Sequence, residues 1–338
     1  MESLKENCDG YALIIVLWTL VILSVIFVNL FDEVQLNSFL IRNNLDKKKI
    51  YNTSLSGIIM GIDKLKSDNT EYDIPEDEWN KNLEGTEDQL EYKVEIEDIG
   101  SKLNINYTKQ DILSKLDWWN EEVEQQIEEK IAKQGFVINL LLIKDILGED
   151  YSKAIDSLTT YGYFNLNSDD LNKLRRLLEF LELNSVERNL IYGYLNKERR
   201  AGRRIKEIKQ LETLYLKGLS ERTLNSIRPY LAVNSNLNIN FISEDLLEVV
   251  LKGLNINLSY KEKIIKLRQR EGIKELSEIS TSQKNLLNYF TVSSKLFLIT
   301  SRVFSNDGKP LKEIKCIVER NKDEDDNWKI KILKWDEE

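Results

Sequence analysis

The sequence predicts an α+β protein: a long N-terminal helix, transmembrane first and amphipathic after, packed on a small antiparallel sheet and carrying a large all-helical insertion. Three observations predict it. Residues 11–31, YALIIVLWTLVILSVIFVNLF, are apolar except for Thr19, Ser24 and Asn29, and an apolar stripe at helical spacing follows them. Alternating apolar and polar residues occur near both ends of the chain, at 92–108 and at 289–335. The long stretch between, about 109–288, is patterned for helices.

Each element has its own warrant. At ~1.5 Å per residue, about 20 helical residues cross the ~30 Å hydrocarbon core of a bilayer, which the run from Tyr11 to Phe31 satisfies. A secretory signal has a shorter apolar region and a small-residue cleavage site, and Val28-Asn29-Leu30-Phe31 offers none. From Asp32 to about Ser67 there is no proline, so one helix of roughly 80 Å continues, with Leu55, Ile58, Ile59, Ile62 and Leu65 as the stripe that packs on the sheet. Residues 68–88, with Pro75 and many acids, read as a loop, and 92–108 reads as a β-hairpin about Gly100. Three strand-like runs close the chain: YFTVSSKLFLITSRVF, KEIKCIVERN and WKIKILKW, separated by the turns SNDGKP and NKDEDDN. The expected division is 68–108 plus 289–338 as a helix-and-sheet domain, interrupted by a helical insertion at 109–288.

A short pattern recurs: LNIN at 103, FNLN at 164 and LNIN at 237, each followed by polar residues and a helical pattern. Asp111 and Asp245 fall at the same offset from the leading leucine. The pattern reads as a short extended piece burying alternate apolar residues, with Thr108, Ser168 or Ser243 capping the next helix.

Composition excludes several functions. The chain of 338 residues has no histidine, which removes the commonest general base, the imidazole metal ligand and the serine–histidine triad, and no catalytic constellation stands out. Cys8 and Cys316 lie at opposite ends, on either side of the apolar run, and form neither a metal pair nor a disulfide. A net charge of −9 opposes nucleic-acid binding; only NKERRAGRRIKEIKQ (196–210) favours it. Oxygen donors of the kind calcium takes occur at Asp323, Glu324, Asp325 and Asp326 and at Asp169 and Asp170. Their spacing is not that of an EF-hand, and they read as a solvated hairpin tip and a helix N-terminus. No cofactor is expected from the residues.

These stretches resemble a family. The segment after Gly10 looks like a type IV prepilin segment, and the rest resembles type II secretion system protein K, a minor pseudopilin also called general secretion pathway protein K. The resemblance rests on VEIEDIGSKLNIN (94–106), LETLYLKGLSERTLNSIRPYL (211–231), LNINFISEDLLEVV (237–250), LTTYGYFNLN (158–167) and the C-terminal FTVSSKLFLITSRV. It implies a pilin-type helix after a leader of residues 1–10, cut by prepilin peptidase between Gly10 and Tyr11. It also implies an insertion of tandem helix-hairpin units, of the SAM or helix-hairpin-helix kind. It further implies a non-enzymatic subunit that initiates or caps a pseudopilus, held in the inner membrane by a single span with the later domains on the periplasmic side. The implied partners are minor pseudopilins of the I and J types, met along the stem around Phe31, Val34 and Phe39. Family members bind calcium, but no residues here match their ligands one by one. A minor pilin of a type IV pilus or DNA-uptake system is an alternative, and a membrane-anchored helix-hairpin protein that binds nucleic acid a more distant one.

Two departures bear on these expectations. Major pilins carry glutamate at the fifth mature position, where it neutralises a neighbour's terminal amine; here that position is Ile15, as suits a tip subunit. The leader has one Lys against Glu2, Glu6 and Asp9, while Arg42 and Lys47–Lys49 follow the apolar run. The positive-inside rule alone would therefore place the later domains in the cytoplasm, opposite to the family pattern.

Overall fold

The computed structural model describes residues 3–87, 89–162, 164–167, 171–233, 236–280, 283–322 and 327–337. Helix α1 (Ser3–Ser67) is unbroken over 65 residues. Its last part lies on a five-stranded antiparallel sheet of β1 (Leu83–Glu87), β2 (Leu90–Asp98), β9 (Leu296–Phe304), β10 (Pro310–Lys322) and β11 (Trp328–Glu337), in that spatial order. Ile96 pairs with Ile299, Ile299 with Cys316 and Cys316 with Trp335, so one row of apolar side chains runs across four strands beneath the helix. The sheet thus joins two segments separated by nearly two hundred residues, and a fold of this kind holds its ends together through non-local pairing.

The helix docks through small residues. A Cβ built on Gly57 would stand 2.1 Å from Ser301 Oγ, and one on Gly61 would stand 2.8 Å from Ile299 Cγ2. Thr53 and Ser54 are buried on the same face, with Ile58 and Leu65 filling its margin. The stripe expected from spacing is therefore corrected in part: Ile58 and Leu65 are buried and Leu55 and Ile62 half-buried, but Ile59 is 51% exposed. Glycines let the backbone approach the sheet, so they, and not Ile59, mark the contact line.

Two further expectations are corrected. Residues 92–108 are not a hairpin about Gly100. The hairpin is β1–β2, in which Glu87 pairs with Leu90, and after Asp98 a short 3-10 turn (Ile99–Ser101) carries the chain out of the sheet. The stretch 68–88 is not all loop, since LEGTE forms β1; it is too polar to show a strand pattern, and its Gly85 leaves room for the Tyr92 ring to lie across it. Alternation on both sides of Gly100 is real, but the second half pairs elsewhere.

That elsewhere is the repeat. β3 (Leu103–Asn104) pairs in parallel with β4 (Leu158–Thr159), β5 (Phe164–Asn165) with β6 (Leu231–Ala232), and β7 (Leu237–Asn238) with β8 (Phe290–Thr291). Each pair closes a helical unit. The first holds α2 (Gln110–Leu113), α3 (Glu121–Gln134), α4 (Lys144–Leu147) and α5 (Tyr151–Ser157). The second holds α6 (Leu171–Phe180), α7 (Ser185–Arg200) and α8 (Glu221–Ile227). The third holds α9 (Glu244–Gly253), α10 (Ser259–Glu271) and α11 (Lys284–Tyr289). The first and third share one apolar core, with Leu103, Leu158, Leu237 and Phe290 all inside it, whereas the second has its own around Phe164 and Leu231.

The asparagines of the repeat are clasps. In each copy the first Asn side chain accepts the N–H of the second: Asn104 from Asn106 at 2.9 Å, Asn165 from Asn167 at 2.9 Å and Asn238 from Asn240 at 3.0 Å. The second Asn then bonds both ways to one backbone residue of its unit, Val137, Ile205 or Ile273. Each of those residues follows closely on a glycine at positive φ, Gly135, Gly202 or Gly272. An amide presents one donor side and one acceptor side, which matches a peptide group; this is why the position is Asn and not Asp. Of the expected caps, Ser243 accepts the N–H of Leu246, but the N-cap residue of α2 is Lys109, with no side-chain cap bond, so Thr108 is not the cap of that helix. Ser168 lies outside the described residues.

Candidate functional site

The first candidate surface is α1 itself. From Tyr11 to Leu45 every described large apolar side chain is between 47% and 72% exposed, on all sides of the helix. The helix is long and apolar enough to cross a membrane. The two hydroxyls of its apolar run are satisfied inside the helix: Thr19 Oγ1 donates to the Val16 carbonyl at 2.8 Å and Ser24 Oγ to that of Leu20 at 2.7 Å. Both groups are thereby compatible with lipid, where an unsatisfied donor costs several kcal/mol. Gly10, Tyr11, Ile15, Phe31, Val34 and Phe39 all fall in α1. Tyr11, Ile15, Phe31, Val34 and Phe39 are exposed, but they do not share one face. At about 100° per residue, Phe39 lies ~140° round the helix from Val34, on the side that meets the sheet further down.

The second is a buried polar junction that sequence patterning does not reveal. Arg320 of β10 is wholly buried, with its guanidinium 4.9 Å from the Phe297 ring centroid and 4.5 Å from that of Trp328. It bonds Asp68 at 2.8 Å and also bonds Asp73, both from the loop after α1. Asp73 accepts the backbone N–H of Ser294 at 2.5 Å, and the Ser294 hydroxyl donates to Asp98 of β2 at 2.5 Å. Asn238 in turn donates to the Ser294 hydroxyl at 3.0 Å, and Asn240 to the Asp73 carbonyl oxygen at 2.8 Å. Stem, sheet and third helical unit meet in this one network.

Its electrostatics follow from burial. Asp68 and Asp73 share a single guanidinium, while Asp98 is held by the Ser294 hydroxyl and the Gly100 N–H. Burial raises Asp98 to about 7, with the Asp73 charge adding to the shift, while the hydroxyl and N–H of Ser294 and Gly100 pull it back. Burial also raises Asp73, against the opposing pull of Arg320. Asp77 is raised to about 6 for the same leading reason. Asp68, Asp73 and Asp77 place carboxylate oxygens within 4.8 Å of one another. Arg320 already bonds two of them, so the counter-charge this trio needs is a guanidinium.

The third is a cleft of about 500 Å³ between the outer face of the sheet and the first two units. Tyr161, Arg228 and Tyr230 wall it against Ile317 and Glu319 of β10. Arg228 bonds Glu319 at 2.6 Å, so its most buried charges cancel.

The basic stretch at 196–210 is partly structural. Arg199 donates to the Leu166 carbonyl and stacks over Phe164, and Arg203 pairs with Glu198. The acidic groups Asp323–Asp326 and Asp169–Asp170 lie outside the described residues. Cys316 is buried under α1, and burial pushes its thiol up to about 12, which makes it inert at neutral pH.

No protein-family model matches the chain, and no curated protein matches it. Among solved structures it is similar to a chain in the crystal structure of the GspK–GspI–GspJ complex from the enterotoxigenic Escherichia coli type 2 secretion system. The identity is 12% and the TM-score 0.42, over 88% of this chain and 98% of that one.

Proposed function

We propose that this chain is a membrane-anchored minor pseudopilin of a type II secretion system, a non-enzymatic subunit that initiates or caps a short filament. One observation carries the reading: a single helix that is apolar and exposed for its first half and docked on an antiparallel sheet for its last part. Such a helix anchors a domain and leaves a long surface for other helices. The resemblance of the motifs at 94–106 and 211–250 to protein K supports the assignment within that class. On this reading prepilin peptidase cuts between Gly10 and Tyr11, and the domains beyond the membrane lie outside the cytoplasm. The domain formed by 68–108 and 289–338 then carries the insertion at 109–288. The partners are minor pseudopilins of the I and J types, the subunits named with GspK in the similar complex. The exposed stem with Phe31, Val34 and Phe39 is where they would dock.

The test is processing. Co-expression with prepilin peptidase is expected to yield a mature N-terminus at Tyr11, and Gly10→Val to leave the chain uncut but in the membrane. An assembled protein that still begins at Met1 overturns the reading.

A further inference from the structure

The floor of the cleft is the outer face of the sheet, where Leu296, Ile317 and Leu333 sit on the neighbouring strands β9, β10 and β11. Ile317 is only 3% exposed, yet none of these three side chains belongs to an apolar core formed by the described residues. Strand β11 is deformed to supply the third of them. Ile317 pairs with Lys334 and Val318 with Ile332, so Leu333 is the extra residue of a bulge. Consecutive residues of a regular strand point to opposite faces, whereas here Leu333 and Lys334 both line the cleft. The bulge therefore adds an apolar group and a cation to one side of the sheet.

Charge and shape choose the occupant. The lining holds five basic side chains, Lys209, Arg228, Lys295, Lys322 and Lys334. Its acids are Glu207 and Glu319, and the second of these is spent on Arg228. The chain as a whole carries −9, so the cleft has the opposite sign to the molecule. Lys322 and Lys334 pair with Glu71 and Asp336, which lie outside the cleft. Pairs as exposed as these contribute about 1 kcal/mol or less, so a ligand carboxylate can take their place. The floor follows β10 from Ile317 to Lys322, ~16 Å at ~3.3 Å per residue, which is the span of about five extended residues. A space of about 500 Å³ lies within the range of specific ligand sites.

We propose that this cleft binds a short extended peptide segment of another polypeptide, one that sets apolar side chains on Leu296, Ile317 and Leu333 and carboxylates toward the surrounding lysines. Tyr161 and Tyr230 close over it from the helical units. The site does not depend on the pseudopilin reading, since it is formed wholly by the sheet and the insertion.

The test uses the full chain in nanodiscs and a fluorescein-labelled five-residue peptide alternating leucine with glutamate. A twin peptide carries lysine in place of glutamate. The glutamate peptide is expected to bind about fivefold or more tightly than its twin, with a preference that shrinks as salt rises. Its binding is expected to slow hydrogen exchange at 231–233 and 331–334. Lys334→Glu, an exposed substitution, is expected to abolish the preference for the acidic peptide without shifting the melting curve. Leu333→Asp is expected to weaken both peptides about tenfold. Equal binding of the two peptides, unchanged preference in Lys334→Glu, or protection confined to other segments overturns the proposal. So does binding of laurate at the cleft with no binding of either peptide, which would make it a site for a small aliphatic acid.

Discussion

Asp98 is wholly buried, with Gly100 and Ser294 as its donors and the carboxylate of Asp73 beside it. Its folded value of about 7 lies well above the ordinary 3.8, so the folded protein holds a proton that the unfolded chain releases. The stability this contributes is full below the unfolded value and is lost as pH rises through about 7. Asp73 and Asp77 are raised too and act in the same direction. The unfolding midpoint in detergent is therefore expected to fall between pH 4 and pH 7. Asp98→Asn removes the titration and should stabilise the protein at pH 8, on the order of 2 kcal/mol; an unchanged pH slope would contradict it. The clasp asparagines make a second prediction at this scale. Asn167→Ala leaves the N–H and carbonyl of Ile205 without their partner and should cost about 2–3 kcal/mol, with loss of hydrogen-exchange protection at Ile205. Asn240→Ala does the same at Ile273 and also frees the Asp73 carbonyl, so it alone should loosen the loop after α1.

For the elements, the contact between α1 and the sheet depends on what Gly57 lacks. A methyl group there meets Ser301 and Val94, so the helix must lift from the strands. Gly57→Ala is expected to destabilise by about 1–3 kcal/mol, the cost of overpacking. Gly193 is the control: it lies exposed in α7 with nothing within 4 Å of its added Cβ. Gly193→Ala should stabilise by about 0.5–1 kcal/mol through helix propensity. Thermal melts of the two variants should therefore move in opposite directions.

On the scale of the whole molecule, the proposed cut after Gly10 has a consequence for how a neighbour would attach. On that proposal Ile15 is the fifth residue of the cut chain, which then offers no carboxylate to an amine above it, while the Tyr11 amine would be available to a subunit below. Ile15→Glu should still insert, because insertion scales put a central acid at only about 2.5–3.5 kcal/mol. The variant is expected to lose strict tip placement or to stall assembly, read by immunogold labelling of filaments and by secretion. Normal secretion with tip-only labelling would make the bulky helical insertion the part that blocks further growth.

Local signals by themselves determined the α+β class, the long helix, β9, β10 and β11 and the recurrence of LNIN, because period and turn chemistry act over a few residues. They also contained the glycines at 57 and 61, whose meaning needs the sheet they approach. Only the tertiary structure decided that the alternation after Gly100 pairs with Leu158 rather than folding back, and that β1 lies at the sheet edge. It alone brought Asp68, Asp73, Asp98, Ser294 and Arg320 together. The reason is the same in each case. Parallel pairing across some fifty residues and a charge cluster drawn from four distant segments are set by long-range burial, and no short window of sequence carries that information.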